Sequence, residues 1–150
     1  MDNPDRRFIA EAVAAGLTDV PIDTNPQFRG LSSRLIKGKP GDVTLSFIAG
    51  RETEQGNGVV SGGAMATMLD SAMAMAVLSQ IAEGQTCTSI SLTINMMRPA
   101  QLGKLIVRAT VDRLGRQVAF ASAALMSEEG NKLFANAISS LAIINIPPAA

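Results

Sequence analysis

Apolar and polar positions alternate with period two in three separate stretches of the chain, and one long stretch between them is almost wholly apolar. Val43, Leu45 and Phe47 alternate with Thr44 and Ser46, as a half-buried strand requires. Residues 31–37 and 42–48 therefore read as two strands around the turn Gly38-Lys39-Pro40-Gly41. In 88–97, Ile90, Leu92, Ile94 and Met96 fall on one face, and Ser89, Ser91, Thr93 and Asn95 on the other. In 104–114, Leu105, Val107, Ala109 and Val111 alternate with Arg108, Thr110 and Asp112. Strands over 117–126 and 132–146 complete the set, joined by the turns at Leu114–Gln117 and Glu128–Asn131. Short turns between close strands predict an antiparallel meander.

Two segments carry helical signals. Residues 4–15 place Phe8, Ile9, Ala12 and Val13 on one stripe, with Pro4 and Asp5 at the start and Gly16 at the end. A Pro-rich connection, 21–26, follows. The second helix candidate, Gly62 to Ser79, is almost wholly apolar and small-residued, and Gly84 beyond it is its predicted stop. The polar stretch 51–58 is the loop that leads into it. One apolar helix against a curved antiparallel sheet makes an α+β, two-layer domain. The chain divides into 1–30, a helix and its connection, and 31–146, a single domain.

Composition narrows the chemistry. The chain of 150 residues has zero formal net charge, five Phe and no Trp or Tyr. Basic residues are scattered, so neither a nucleic-acid surface nor a basic membrane helix is expected. One cysteine, Cys87, allows no intrachain disulfide, which favours a reducing, cytoplasmic setting. No apolar run follows the basic residues near the N-terminus, so no secretory signal is expected. The segment 64–82 has the length of a membrane span, but its alanines, serines and central aspartate make it a poor one. The chain has no histidine. That removes His-containing metal sites, Ser-His and Cys-His pairs and the usual general base.

Asp70 is the only charged residue between Glu54 and Glu83. A carboxylate in a buried helix costs several kcal/mol unless it is paired or protonated, so Asp70 is the first candidate for chemistry. The alternative is a structural aspartate bonded to a neighbouring serine or amide.

Three stretches then resemble a known family: Gly58-Val59-Val60-Ser61-Gly62-Gly63 running into Asp70, Thr88–Ala100 ending in Arg98-Pro99-Ala100, and Leu114-Gly115-Arg116 between two strands. Together, over roughly 31–145, they resemble the hotdog-fold acyl-CoA thioesterases, in particular the phenylacetate-pathway-like (PaaI-like) branch. The resemblance implies a sheet wrapped around one long central helix, with a short N-terminal helix before it. It implies hydrolysis of acyl-CoA to free acid and CoA, with no metal or organic cofactor and coenzyme A entering only as part of the substrate. It also implies a homodimer as the smallest unit and a homotetramer.

The resemblance assigns residues as well. Gly62, with Gly63 beside it, offers the amide that polarises the thioester carbonyl, and a helix N-terminus suits a developing oxyanion. Asp70 is the nucleophile or the base that activates water. Ser89 orients that water and Gln55 contacts the thioester. Gly63 and Asp70, seven residues apart, lie ~10.5 Å apart along one helix, which agrees with the family's use of two subunits per site. Ser61 stands where relatives carry His, and it suits a helix cap. Its presence excludes the His-dependent hydratases and dehydratases of the same fold, and it makes reduced activity plausible. Met65, Met68, Met73 and Met75 are candidates for an adaptable acyl pocket. Arg98, Lys104, Arg113 and Arg116 are candidates for the CoA phosphates.

Each assignment has a plainer alternative. Gly62-Gly63 permits a tight turn, Gln55 is an ordinary loop residue and Ser89 is one of four polar residues on a strand face. The methionines fit plain core, the cations fit solvated surface, and Cys87 fits a small buried side chain. The whole chain also fits a non-catalytic hotdog protein that binds acyl-CoA or another apolar ligand, or a structural oligomeric domain.

Overall fold

A computed structural model describes residues 1–150. Helix α1, Pro4–Ala14, starts at Asn3, whose side chain accepts the amides of Asp5 and Arg6. Its stripe docks as the pattern predicts, with Ile9 and Ala12 buried. The connection that follows is more ordered than its prolines suggest. It holds a short strand β1, Val20–Pro21, and a helix α2, Pro26–Gly30, capped by Asn25 with Pro26 in its first turn. The Asn-Pro pair was a readable start signal. Buried Ile22 and Phe28 join this segment to the same core as the sheet.

Strands β2, Arg34–Lys39, and β3, Asp42–Ala49, form the predicted hairpin, but the turn is tighter than Gly38–Gly41. Gly38 pairs Val43 and Lys39 pairs Asp42, so Pro40 and Gly41 alone make the bend. Gly41 has φ +76°, the left-handed conformation that a tight turn requires after Pro. Its amide donates to Ser79 Oγ at 2.8 Å.

After one 3-10 turn, Arg51–Thr53, comes the central helix α3, Gly62–Leu78. It ends well before Gly84, because Ser79 supplies the stop. The Ser79 amide bonds back to Met75 and Val77, and its hydroxyl donates to the Ala76 carbonyl at 2.6 Å. Strands β4 (Gln85–Met96), β5 (Gly103–Leu114), β6 (Val118–Ser127) and β7 (Leu133–Asn145) follow.

All seven strands form one antiparallel sheet in the order β1-β2-β3-β5-β6-β7-β4. A simple meander of the last four strands is therefore corrected. Strands β5, β6 and β7 do form one, but β4 crosses to the far edge and pairs with β7. The sheet packs on α3 through β3, β4, β5, β6 and β7, giving the α+β arrangement of a sheet around a central helix. The core between them holds Phe47, Leu45, Met68, Leu69, Leu125 and Leu141, all fully buried. No helix is long and apolar enough to cross a membrane.

The strand β4 departs from plain alternation. Its register with β7 shifts between Ser89 and Ser91, leaving Ile90 as the extra residue of a bulge. Beyond the bulge, Leu92, Ile94 and Met96 pair with buried Ser139, Ala137 and Ala135. Before it, Ser89 pairs with buried Leu141. Ser89 thus shares the helix-facing side with Leu92, Ile94 and Met96. The predicted grouping of Ser89 with Ser91, Thr93 and Asn95 is corrected, since one extra residue inverts the parity of everything before it.

Candidate functional site

The helix-facing side of β4 meets a less covered stripe of α3. Gly63, Thr67, Asp70 and Ala74 are exposed or half-buried, while Met68, Leu69, Ala72 and Met73 on the other faces are fully buried. Asp70 is therefore not sealed in the core. Ser89 donates its hydroxyl to Asp70 Oδ1 at 2.6 Å, a short, charge-assisted bond. Asp70 Oδ2 has no protein partner. Such a carboxylate is held in place by one oxygen and keeps the other free to take a proton or attack carbon.

Cys87, two residues before Ser89, also faces α3. Its thiol lies 3.8 Å from the Ala74 carbonyl. Burial, reinforced by the negative charges of Asp70 and Asp5, pushes the thiol up to about 12. It stays protonated at neutral pH and offers no thiolate nucleophile.

The second cluster lies at the start of α3. Ser61 is the helix cap: its hydroxyl accepts the Ala64 amide at 3.1 Å and its carbonyl accepts Met65 at 3.1 Å. The amides of Gly62 and Gly63 have no acceptor in the chain. Gly62 lines a depression of about 260 Å³ with Gln55, Met65, Met96, Met97 and Arg98 among its walls. Two unpaired amides at the positive end of a helix dipole suit a carbonyl oxygen that gains charge. A Cβ on Gly62 would stand 2.9 Å from Met96 Sδ, whereas one on Gly63 would meet nothing within 4 Å.

Gln55 is fixed in the loop that frames this depression. Its amide donates to Val59 and its carbonyl accepts Gly58. Its side-chain oxygen accepts the Asn57 amide at 2.8 Å, which leaves the side-chain NH₂ uncommitted. The loop is pinned by the Ser61 amide on Thr53 and the Val60 amide on Ala100.

The predicted residues thus fall into two groups within one chain: Asp70 with Ser89, and Gln55, Ser61, Gly62 and Arg98 around the helix start, with Gly63 open beside them. Two predicted substrate contacts lie elsewhere. Met73 is fully buried in the core, as are Met68 and Met75, because the wide apolar surface of α3 turns them toward the sheet. Of the four helix methionines only Met65 reaches the depression. Arg116 lies with Arg113 and Phe120 around a separate depression of about 580 Å³ at the β5–β6 hairpin. Lys104 is paired with Glu128 at 3.4 Å. Met96 and Met97 were missed as wall residues, although their place just before Arg98-Pro99 was a signal for them.

One further depression, about 560 Å³, opens over the β2, β3 and β5 strands. Its Arg108 is held by Asp42 through two bonds of 2.8 and 3.2 Å, and this pairing holds the Asp42 carboxyl below its usual range.

The thioesterase superfamily matches the chain over residues 57–134, a stretch that includes both clusters except Gln55. Acyl-coenzyme A thioesterase 13 of Homo sapiens is 31% identical over 102 residues, covering 67% of this chain and 72% of that protein. Among solved structures, a phenylacetic acid degradation-related protein from Ralstonia eutropha superposes with a TM-score of 0.76 at 26% identity, covering 93% of this chain and 99% of that one. The E. coli PaaI protein superposes with the same TM-score, 0.76, at 19% identity, over 98% and 100% of the two chains; at that identity the likeness is one of fold.

Proposed function

The chain belongs to the thioesterase superfamily, a class of thioester hydrolases, and on that premise we propose that it hydrolyses acyl-CoA thioesters with the Asp70 carboxylate. The observation that carries this reading is the Ser89–Asp70 bond of 2.6 Å on a helix whose first amides are unpaired. The substrate carbonyl oxygen rests on the Gly62 amide. Asp70 takes a proton from water held by Ser89 while that oxygen bonds to the acyl carbon. The tetrahedral intermediate then collapses, the C–S bond breaks, and CoA leaves as the thiol with the proton held by Asp70. Direct attack by Asp70, followed by hydrolysis of an anhydride, uses the same group. Single turnover in ¹⁸O-water labels the Asp70 carboxylate only by the second route. Neither route draws on a metal or organic cofactor.

The two clusters belong to different subunits in this reading. Gly62 and Asp70 are eight residues apart, ~12 Å along the helix axis, so one carbonyl does not reach both within one chain. Strand β4 is an edge whose Ile90, Leu92 and Met96 are 60%, 38% and 48% exposed. An open apolar edge favours pairing with another strand. Antiparallel pairing of two β4 strands about a two-fold near Leu92 would set Met96, and with it Gly62, beside Ser89 and Asp70 of the partner subunit.

Acyl-CoA hydrolysis by wild type and Asp70→Asn tests the reading. A loss on the order of 10²–10⁴ in kcat is expected. Full activity of the variant on the best substrate overturns the role of Asp70. Ser61, at the position where the family resemblance implies His, favours a second reading, a protein that binds acyl-CoA without turnover. Tight binding with no hydrolysis across aryl-acetyl, medium-chain and branched acyl-CoAs supports that alternative, and measurable turnover removes it.

A further inference from the structure

The bulge in β4 is what turns Ser89 toward Asp70, and it has its own support. Beyond the bulge, the Ser91 carbonyl accepts the hydroxyl of Ser139 at 2.9 Å. Ser139 lies on β7, pairs with Leu92 and is buried. A buried hydroxyl costs stability when unpaired, so this one is fixed on the irregular segment of β4. The opposite face carries a matched contact: the Ser91 hydroxyl meets the Ser140 hydroxyl at 2.7 Å. Two neighbouring serines of β7 thus grip the same residue of β4, one by its backbone from the helix side and one by its side chain from the outside.

We propose that Ser139 is a positioning residue, which holds the β4 bulge in the shape that aims the Ser89 hydroxyl at Asp70. Bulges next to active sites commonly re-aim a side chain, and the Ser139 hydroxyl on the Ser91 carbonyl, one residue past the bulge, is the side-chain contact that fixes the local backbone from the helix side. Ser139 touches neither Asp70 nor the open depression. In this proposal its effect on chemistry passes through Ser89. The inference rests on the reading of Asp70 as the reacting group.

Two measurements test it. The first is a double-mutant cycle on acyl-CoA hydrolysis, with hexanoyl-CoA and phenylacetyl-CoA as probes. Ser139→Ala is expected to lower kcat about fivefold with KM unchanged, and to have no further effect when Ser89 is already Ala. Ser140→Ala is expected to leave kcat unchanged. Equal penalties for Ser139→Ala with and without the Ser89 hydroxyl, or equal effects of the two serine variants, overturn the proposal. The second is a substrate-free crystal structure of Ser139→Ala, in which the Ser89–Asp70 bond is expected to be longer than 2.6 Å. An intact 2.6 Å bond there overturns the proposal. A wild type without turnover would overturn the proposed function, yet this structure would still decide the role of Ser139. Ser139→Cys, with a similar volume and a weaker donor, serves both measurements if the alanine variant does not fold.

Discussion

Ser89 and Asp70 join the edge strand of the sheet to the middle of the central helix through one hydrogen bond of 2.6 Å. The bond fixes one carboxylate oxygen and leaves the other unengaged. Ser89→Ala is expected to lower kcat about ten- to a hundredfold, the scale of a hydrogen bond to a charged group. KM should change little, because Ser89 is assigned to the water and the carboxylate. Steady-state kinetics on the best acyl-CoA check this. A rise in KM at constant kcat would move Ser89 from water positioning to substrate binding.

Gly62 and Met96 form a second dependent pair. Alanine at 62 must displace the Met96 thioether, which stands 2.9 Å from the new Cβ position. Gly62→Ala should lower kcat/KM, and adding Met96→Ala should restore part of the loss. Non-additivity in this cycle is the measurement.

Ser61 tests the cap apart from the chemistry. Ser61→Ala removes the acceptor for the Ala64 amide and should destabilise the protein by about 1 kcal/mol. Ser61→Asp should retain most of that stability, since Asp caps well and suits the helix dipole. Urea unfolding midpoints compare the three proteins.

Met73 separates core from pocket. Met73→Ala should cost about 2–5 kcal/mol of stability, as a cavity in a packed interior does. Acyl-chain preference should stay the same, because Met73 lines no open depression. A shift in chain-length preference without loss of stability would return Met73 to the substrate.

Cys87 predicts a pH response. The folded thiol titrates near 12 against an ordinary value of 9.0. Between these values the unfolded chain loses its proton and the folded chain keeps it. The linked stability is therefore complete below pH 9 and declines as the pH rises toward 12. Iodoacetamide should label native Cys87 slowly at pH 8 and quickly after unfolding.

Much of this was legible in the sequence because it rests on local rules. The strands β3 and β5 follow the alternation read from the sequence, and α1 follows its Pro start and apolar stripe. Asp70 stood out as a charge where composition allowed none, and Ser61 as a cap. What was hidden depends on partners distant in the chain. The bulge at Ile90 is invisible to period-two reasoning, since Ile90 fits the apolar face on paper. The edge position of β4 depends on β7, whose paired residues lie 39 to 60 positions later in the chain. Helix α3 is apolar on all sides, so periodicity did not tell Met65, at the open end, from Met73, in the core. The helix stop falls at Ser79 and not at Gly84, through local bonds to Met75, Ala76 and Val77; what the sequence hid is that the Ser79 hydroxyl also accepts the amide of Gly41, on a hairpin before the helix.

That last contact has a mechanical meaning. The Gly41 amide holds the Ser79 hydroxyl, and Gly41 also packs against the Gln80 side chain. The Gly41 carbonyl in turn accepts the Val111 amide at 2.7 Å on β5. The hairpin tip thus works as a depth stop for the central helix, seated on the sheet and pressed against the helix's last turn. It braces the C-terminal end of α3 against the sheet, and through the helix sets the height at which Asp70 comes level with Ser89. A one-residue insertion at Pro40-Gly41 would shift that height with every side chain of the site intact. Length at this tip should therefore tolerate less change than the exposure of Pro40 suggests.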